Sequence, residues 1–309
     1  MTGAGGGESV ACEPTPSTKP AGQVLVGPAG FSYPDWVGPV YAPSEARGRA
    51  PLGRVAAWLD LLEVNVSYYR IPAPRIALGW LETTASRPDF RFTAKLWRGY
   101  THGPETPTQA DHRAMCAFLD ALGADGRLVA LLAQFPPSFR ASSRTEAYVL
   151  RLADHFPGRP LAVEFRDVSW DRDEVRMALA ERGIAWVVAD LPPGPRSVPP
   201  RDVAQAGLAY LRLHGRNEAW YRPGVGRDRR YDHLYGPEAL DDFAARIRRL
   251  QQEAARVVVV TNNHFSGKAI VNALELKARL GSGPVTVPER LAIAYPRLRT
   301  LAGASDAAS

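Results

Sequence analysis

The sequence predicts an α/β fold whose parallel strands close on themselves, on three observations. Eight short β-branched or aromatic runs recur along the chain, segments with apolar residues at helical spacing lie between most of them, and polar residues gather at the runs' C-terminal ends. The 309 residues are 45% hydrophobic and 23% charged, which favours one large core over two separate ones. An aromatic share of 9% with seven Trp excludes wholesale disorder.

The first four strands are read as VLVG at 24–27, EVNVSYY at 63–69, FRFTAK at 90–95 and VALLAQF at 129–135. The other four are LAVEFR at 161–166, AWVVAD at 185–190, LAYLRLHG at 208–215 and RVVVVTNN at 256–263, each bounded by Gly, Pro or charged residues. Met115, Phe118, Leu119 and Leu122 mark one amphipathic helix, and Phe243, Ile247 and Leu250 another. Eight strands alternating with helices in roughly 280 residues fit a TIM-type (β/α) barrel, a single domain over 23–301, since such barrels take ~250 residues. An open doubly wound sheet is the rival. Against it, Gly27 and Gly30 lack the third glycine of a dinucleotide loop and run into FSYPDW rather than a helix.

Residues 1–22 and 302–309 are rich in small and polar residues and are expected to be flexible tails. The N-terminal one lacks the basic start and apolar block of a signal peptide, and no run of about 18 apolar residues occurs anywhere. A cytoplasmic protein without a membrane partner is expected. Two cysteines, Cys12 and Cys116, support neither a disulfide scaffold nor a cysteine-rich zinc site. A net charge of +6 mildly favours anionic partners and identifies none.

Alternate side chains of a barrel strand face the axis, so polar residues two apart near a strand's C-terminal end should meet at the mouth where barrel enzymes do chemistry. Glu63, Asn65 and Ser67 share a parity, as do Thr93 and Lys95, Glu164 and Arg166, and Arg212 and His214. Gln134, Asp190 and Asn262 close their strands. Each group also has a structural reading. Glu63 and Asn65 fit an internally satisfied polar layer. Lys95 fits an ion pair with Glu164, or, with its pKa lowered by burial, a base, Schiff-base nucleophile or phosphate clamp. Glu164 beside Arg166 fits a local charge pair or the equipment of proton transfer and substrate anchoring. His214 stands before Gly215, where a ligand can approach the backbone.

Two loops add weight to the same rim. KLWRGYTH at 95–102 interleaves Lys95, Arg98 and His102 with Trp97 and Tyr100, and 216–235 sets Arg222, Arg227, Arg229 and Arg230 beside Trp220, Tyr221, Tyr231 and Tyr235. Such mixtures suit phosphates and stacked rings, or simply a solvated lid with aromatic anchors. The six histidines show no H-E-x-x-H spacing, and neither a G-x-S-x-G elbow nor a P-loop is present. No cofactor or metal is assigned.

Seven blocks in order resemble the YecE-like family, domain of unknown function 72. They are GPAGFSYPDW at 27–36, EVNVSYYRIP at 63–72, FTAKLWRGYTH at 92–102, QFPPSF at 134–139, VEFRDVSW at 163–170, LRLHGR at 211–216 and NNHFSGKAIVNA at 262–273. The resemblance implies a TIM-type barrel with a polar pocket at the strand C-termini and supplies no established reaction. Its shared polar positions fall on Tyr33, Trp36, Glu63, Asn65, Tyr69, Lys95, Thr101, His102, Gln134, Glu164, Arg166, Trp170, Arg212, His214, Asn262 and Asn263. One departure stands out: Pro28, Ala29 and Phe31 occupy places where the family has Thr, Ser and Trp.

These readings lead to an enzyme, a hydrolase or lyase, acting on a small anionic substrate that bears phosphate or resembles a nucleotide. Glu164 is the expected general acid/base, Lys95 and Arg166 the electrostatic stabilisers, and His214 a second proton carrier. Tyr33, Trp36, Glu63, Asn65, Tyr69, His102, Gln134, Arg212, Asn262 and Asn263 are expected to bind substrate with Arg166. The alternatives are a non-catalytic nucleic-acid-binding module and a metal-dependent endonuclease-like hydrolase.

Overall fold

The structure is a computed structural model that describes residues 21–103, 106–281 and 285–301. The tails expected over 1–22 and 302–309 lie outside these, with Cys12, except for Ala21 and Gly22. Gly22 already belongs to the fold, its N–H donating to Gln251 O at 2.8 Å.

Eight strands form one sheet: β1 (Gln23–Pro28), β2 (Leu61–Val64), β3 (Arg91–Lys95), β4 (Leu128–Gln134), β5 (Leu161–Glu164), β6 (Ile184–Asp190), β7 (Leu208–Leu213) and β8 (Arg256–Thr261). All pair in parallel in the order β1-β8-β7-β6-β5-β4-β3-β2. The helices are α1 (Ala50–Trp58), α2 (Val66–Tyr69), α3 (Pro74–Thr83), α4 (Gln109–Leu122), α5 (Ser143–His155), α6 (Asp173–Glu181), α7 (Arg227–Arg230), α8 (Pro237–Glu253), α9 (Lys268–Leu280) and α10 (Glu289–Ala294). Thr108 and Ser142 start α4 and α5 with capping boxes, the hydroxyl of each taking an otherwise orphaned helix N–H. The chain passes from β6 to β7 without a helix, because the intervening LPPGPRSVPP has five prolines that cannot donate to a helical ladder.

The barrel is nearly closed. Along its last seam, Asp60 N–H donates to Val26 O at 3.1 Å, Gly30 N–H donates to Glu63 O at 2.9 Å, and Ala29 bridges to Glu63. Gly27 makes this seam possible: a Cβ there would sit 1.8 Å from the carbonyl oxygen of Leu61. We expect Gly27→Ala to lower unfolding free energy by about 2–3 kcal/mol, the cost of overpacking where backbone blocks relaxation. Urea denaturation measures it, and a loss below about 0.5 kcal/mol would show that the seam is not tight.

Alternation sorts the core into two layers. Leu25, Leu61, Leu132, Val187, Tyr210 and Val260 fill the barrel, while Phe92, Leu131, Val163, Val188, Leu211 and Val259 pack outward against the helices. Small residues, Ala29, Ala130, Ala162 and Ala185, sit among the inward set. A register shift at Phe92/Thr93 pairs Thr93 with Ala130 and Lys95 with Leu132.

The second strand is shorter than expected. It ends at Val64, and Val66–Tyr69 is helical, so the alternation read through Asn65 and Ser67 does not continue. β-branched and aromatic residues made this segment look extended, but tertiary contact decides. The Ser67 hydroxyl donates to Lys95 O at 2.7 Å and fastens the turn to the end of β3.

Candidate functional site

The inward parity of five strands brings their last polar residues to one place at the C-terminal mouth. Arg212 on β7 is its centre and is 1% exposed. Its Nε and Nη2 donate to Glu63 Oε2 and Oε1 at 2.9 and 2.6 Å, and its Nη1 donates to Glu164 Oε2 at 2.6 Å. The planar fork thus bridges two fully buried carboxylates from β2 and β5. Tyr210, two residues earlier, donates its hydroxyl to Glu63 Oε2 at 2.8 Å. That tyrosine was legible as a partner from its shared parity with Arg212.

Arg166, just past β5, ion-pairs with Glu164 Oε1. Its Nη2 lies 3.2 Å from His214 Nε2. On the other side of the ring, Asn262 Nδ2 lies 2.8 Å from His214 Nδ1, and the ring's Nε2 stands 3.4 Å from Glu164 Oε1. Burial, with Arg166 adding to it, pushes the His214 pKa down to about 3. Burial alone would raise the Glu164 pKa, but the Arg166 and Arg212 guanidiniums outweigh it and hold the carboxyl well below the usual range. Glu164 is therefore held as a carboxylate between two arginines.

Lys95 ends β3 differently. Its Nζ donates to the neutral amide oxygen Gln134 Oε1 at 2.9 Å and stands 4.8 Å from the centroid of the Tyr68 ring. The expected alternative of a Lys95–Glu164 ion pair does not form, because Arg166 and Arg212 have taken Glu164. Burial and then Arg212 lower the Lys95 pKa to about 7, only partly offset by Glu63 and Glu164. His102 at the rim meets the Tyr68 ring at 5.1 Å. Its pKa is about 4, through burial and then the charge of Lys95.

An aromatic wall rises on the opposite side. Tyr33 and His264 stack at 4.3 Å, Tyr231 lies 4.9 Å from His264, and Trp220 meets Tyr231 edge-on at 5.0 Å and His214 at 6.1 Å. Of the rings in the 216–235 loop, Trp220 and Tyr231 turn toward the mouth, Tyr221 is exposed and donates to Pro192 O, and Arg222, Arg229 and Arg230 stay exposed.

Of the expected site residues, Lys95, Gln134, Glu164, Arg166, Arg212, His214, Glu63 and Asn262 do converge. Glu63 and Arg212 lie beneath the surface, bonded to each other, with Tyr210 completing Glu63 and Glu164 completing Arg212. Tyr33 and His102 are half-buried rim residues, and Tyr69 is half exposed beside Tyr68. Asn65 stands past the end of β2 at the N-cap position of α2, without a side-chain capping bond. Trp36 is completely buried, its indole N–H donating to His264 O at 2.6 Å, which makes it a support for the aromatic wall. Asn263 has the outward parity and its Nδ2 donates to His233 O and Asn272 Oδ1, both at 2.8 Å, on the helix side. Asp190, by the same parity, turns out of the barrel to Tyr235 and Arg216. Tyr235 is buried as well and is not a rim residue.

A cavity of about 1050 Å³ adjoins the rim between α4 and α5. Arg144, Tyr148, Arg151 and His155 line it from one stripe of α5, and His102 connects it to the mouth.

Among the described residues no group of three or more His, Cys, Asp or Glu is placed to share a metal ion. No helix among them is long and apolar enough to cross a membrane.

A parallel eight-stranded barrel with an arginine-bridged pair of buried carboxylates below a lysine at its mouth defines the class: TIM-type barrel proteins with a polar cluster at the strand C-termini. The chain belongs to the DUF72 family, whose model, described as "Protein of unknown function DUF72", matches residues 25–292. It is 29% identical over 253 residues to the UPF0759 protein YunF of Bacillus subtilis (strain 168), covering 77% of this chain and 88% of that one. It is similar to the crystal structure of a DUF72 family protein, TM1631, from Thermotoga maritima MSB8, with a TM-score of 0.75, 35% identity, and 84% and 99% of the two chains covered. A DUF72 family protein from Enterococcus faecalis V583, EF0366, gives a TM-score of 0.72 at 25% identity, over 86% and 100%. Where this chain departs from the family's opening block, Ala29 is buried inside the barrel and Phe31 packs edge-on against Trp80 at 6.3 Å.

Proposed function

We propose that the protein is an enzyme acting on a small phosphate-bearing, nucleotide-like substrate at the barrel mouth, in the cytoplasm. The observation that carries this reading is the pairing of cations with rings: Lys95 and Arg166 top a cluster whose carboxylates are already bonded by Arg212, and they face the Tyr33–His264–Tyr231–Trp220 wall. A phosphate meets the guanidinium of Arg166, and a planar ring finds faces to stack on. Lys95 replaces Glu164 as the group that exchanges a proton near neutral pH. The metal-dependent hydrolase is disfavoured by the donor set, since Glu63 and Glu164 are committed to guanidiniums.

Isothermal titration of the intact protein with AMP and with adenosine tests the reading. AMP is expected to bind and adenosine to bind at least about tenfold more weakly, and Arg166→Met is expected to remove that difference. Equal affinities for the two, or no binding of either, would overturn it. The α4–α5 cavity favours a second reading, binding of a longer nucleotide chain. In that case a single-stranded oligonucleotide binds with a steep salt dependence that Arg144→Ala and Arg151→Ala reduce.

A further inference from the structure

The chain uses lysine sparingly. It has 34 arginines and four lysines, Lys19, Lys95, Lys268 and Lys277. Lys19 lies outside the described residues. Lys268 is paired with Asp232, and Lys277 with Asp60 at 2.5 Å. Lys95 is the one described lysine with no carboxylate within ion-pair distance, and it ends a strand at the mouth. An arginine at this place would supply a permanent charge, as arginines do elsewhere in the chain. What a lysine adds is a nitrogen that can lose its proton and use its lone pair.

The surroundings of Lys95 suit that use. Arg212 faces it from β7, Glu164 from β5 and Arg166 from just past that strand, Glu63 from β2, Tyr68 from α2, and His102 from the loop after β3. Both carboxylates in this set are bonded by guanidiniums. The contact to Nζ itself is the neutral oxygen of Gln134, which orients the nitrogen without supplying a counter-charge. Burial and neighbouring cations together favour the free amine, the combination that activates lysine nucleophiles.

We propose that Lys95 is an imine-forming nucleophile and that the natural substrate carries an aldehyde or ketone in addition to its anionic group. The nitrogen lone pair attacks the carbonyl carbon, a C–N bond forms, and the C=O electrons move to oxygen, which takes up a proton to give a carbinolamine. Loss of that hydroxyl with the remaining amine proton releases one water and leaves the C=N bond. The two N–H hydrogens of the amine end in that water, and no oxidant, reductant or further reactant is needed. This inference rests on the phosphate-bearing reading of the same mouth for the anionic half of its substrate.

The full chain is incubated with glyceraldehyde 3-phosphate and sodium cyanoborohydride, and the adduct is located by intact mass and peptide mapping. With only four lysines and the terminal amine to share the label, the assignment is sharp. Expected is one adduct per chain, on Lys95, forming at least about tenfold faster than on Lys268 or Lys277, with a rate that rises through neutral pH rather than near pH 10. Lys95→Met, verified as folded by circular dichroism, is expected to lose it. Label spread evenly over the lysines, or absent from Lys95 in the wild-type protein, would overturn the proposal. Glycerol 3-phosphate, which has no carbonyl, separates the two readings. If it binds in an Arg166-dependent way while Lys95 stays unlabelled, imine formation fails and the phosphate reading stands. If glyceraldehyde labels Lys95 as fast as its phosphate does, imine formation stands and the phosphate reading fails.

Discussion

Arg212→Met is expected to destabilise the protein by about 3–5 kcal/mol, because it leaves the buried Glu63 carboxylate without a counter-ion and Glu164 with Arg166 alone. Glu63 and Glu164 are both 0% exposed, and each receives a 2.6 Å hydrogen bond from this one guanidinium. Removing the fork exposes neither carboxylate to water, so Glu63 must stay charged without a counter-ion or become protonated, and Glu164 keeps only Arg166. Arg212→Lys should recover only part of the loss, since an ammonium cannot reproduce three contacts in a fixed plane. The triple change of Arg212 to Met with Glu63 and Glu164 to Gln should be less destabilised than Arg212→Met, although it removes more charges. Urea denaturation of the three variants at pH 7 makes the comparison. An Arg212→Met loss below about 1 kcal/mol would mean that the cluster is not the electrostatic keystone of the mouth.

His214 is expected to make the fold acid-sensitive. Its folded pKa of about 3 lies below the ordinary histidine value of 6.5, so the stability it contributes is complete above pH 6.5 and is lost progressively as pH falls toward 3. The groups facing it are Glu164 and Arg166 from β5, Arg212 from β7, Asn262 after β8, and the Trp220 and Tyr231 rings. Burial, with the Arg166 and Arg212 guanidiniums beside it, opposes protonation more than the shared Glu164 carboxylate favours it. Between pH 6.5 and 4.5 the unfolded imidazole takes up a proton that the folded one refuses, a loss of roughly 3 kcal/mol from this residue. Glu164 adds to the loss below about pH 4.5, as its own depressed pKa is approached. His102, His112 and His233 are lowered too, so the quantity to measure is the difference between wild type and His214→Gln. The variant's stability should fall less steeply over that window, by close to one proton. Equal slopes would show that His214 is protonated in the folded state.

Much of the barrel was legible because its signals are local. The runs at 24–27, 90–95, 129–135, 185–190 and 256–263 fall on strands within a residue or two. Parity along LAYLRLHG, with Glu164 at the end of its own strand, put Arg212, His214 and Glu164 on the axis side, and the same parity, not read for Tyr210, brings its hydroxyl to Glu63. The misreadings have a common cause. EVNVSYY has strand-like composition but turns after Val64, and a turn at a barrel mouth is imposed by the packing of Ser67 on Lys95 O, 28 residues away. Asp190 and Asn263 end their strands like Gln134 and Asn262, yet the opposite parity sends them to the helix layer. Trp36 looked like a binding ring and is a buried prop, since exposure is a property of what folds over a residue.

The sequence by itself determined a parallel barrel and the inventory of groups at its mouth, because alternation and strand spacing act over a few residues. Which carboxylate meets which cation was decided only in the tertiary structure, through strands far apart in the chain: Arg212 reaches Glu63 across 149 positions and Glu164 across 48. That choice leaves Lys95 with the neutral amide of Gln134, and so fixes which nitrogen at the mouth is free to act. Charge pairing in a buried ring is settled by distance and desolvation, quantities that exist only once the ring has closed.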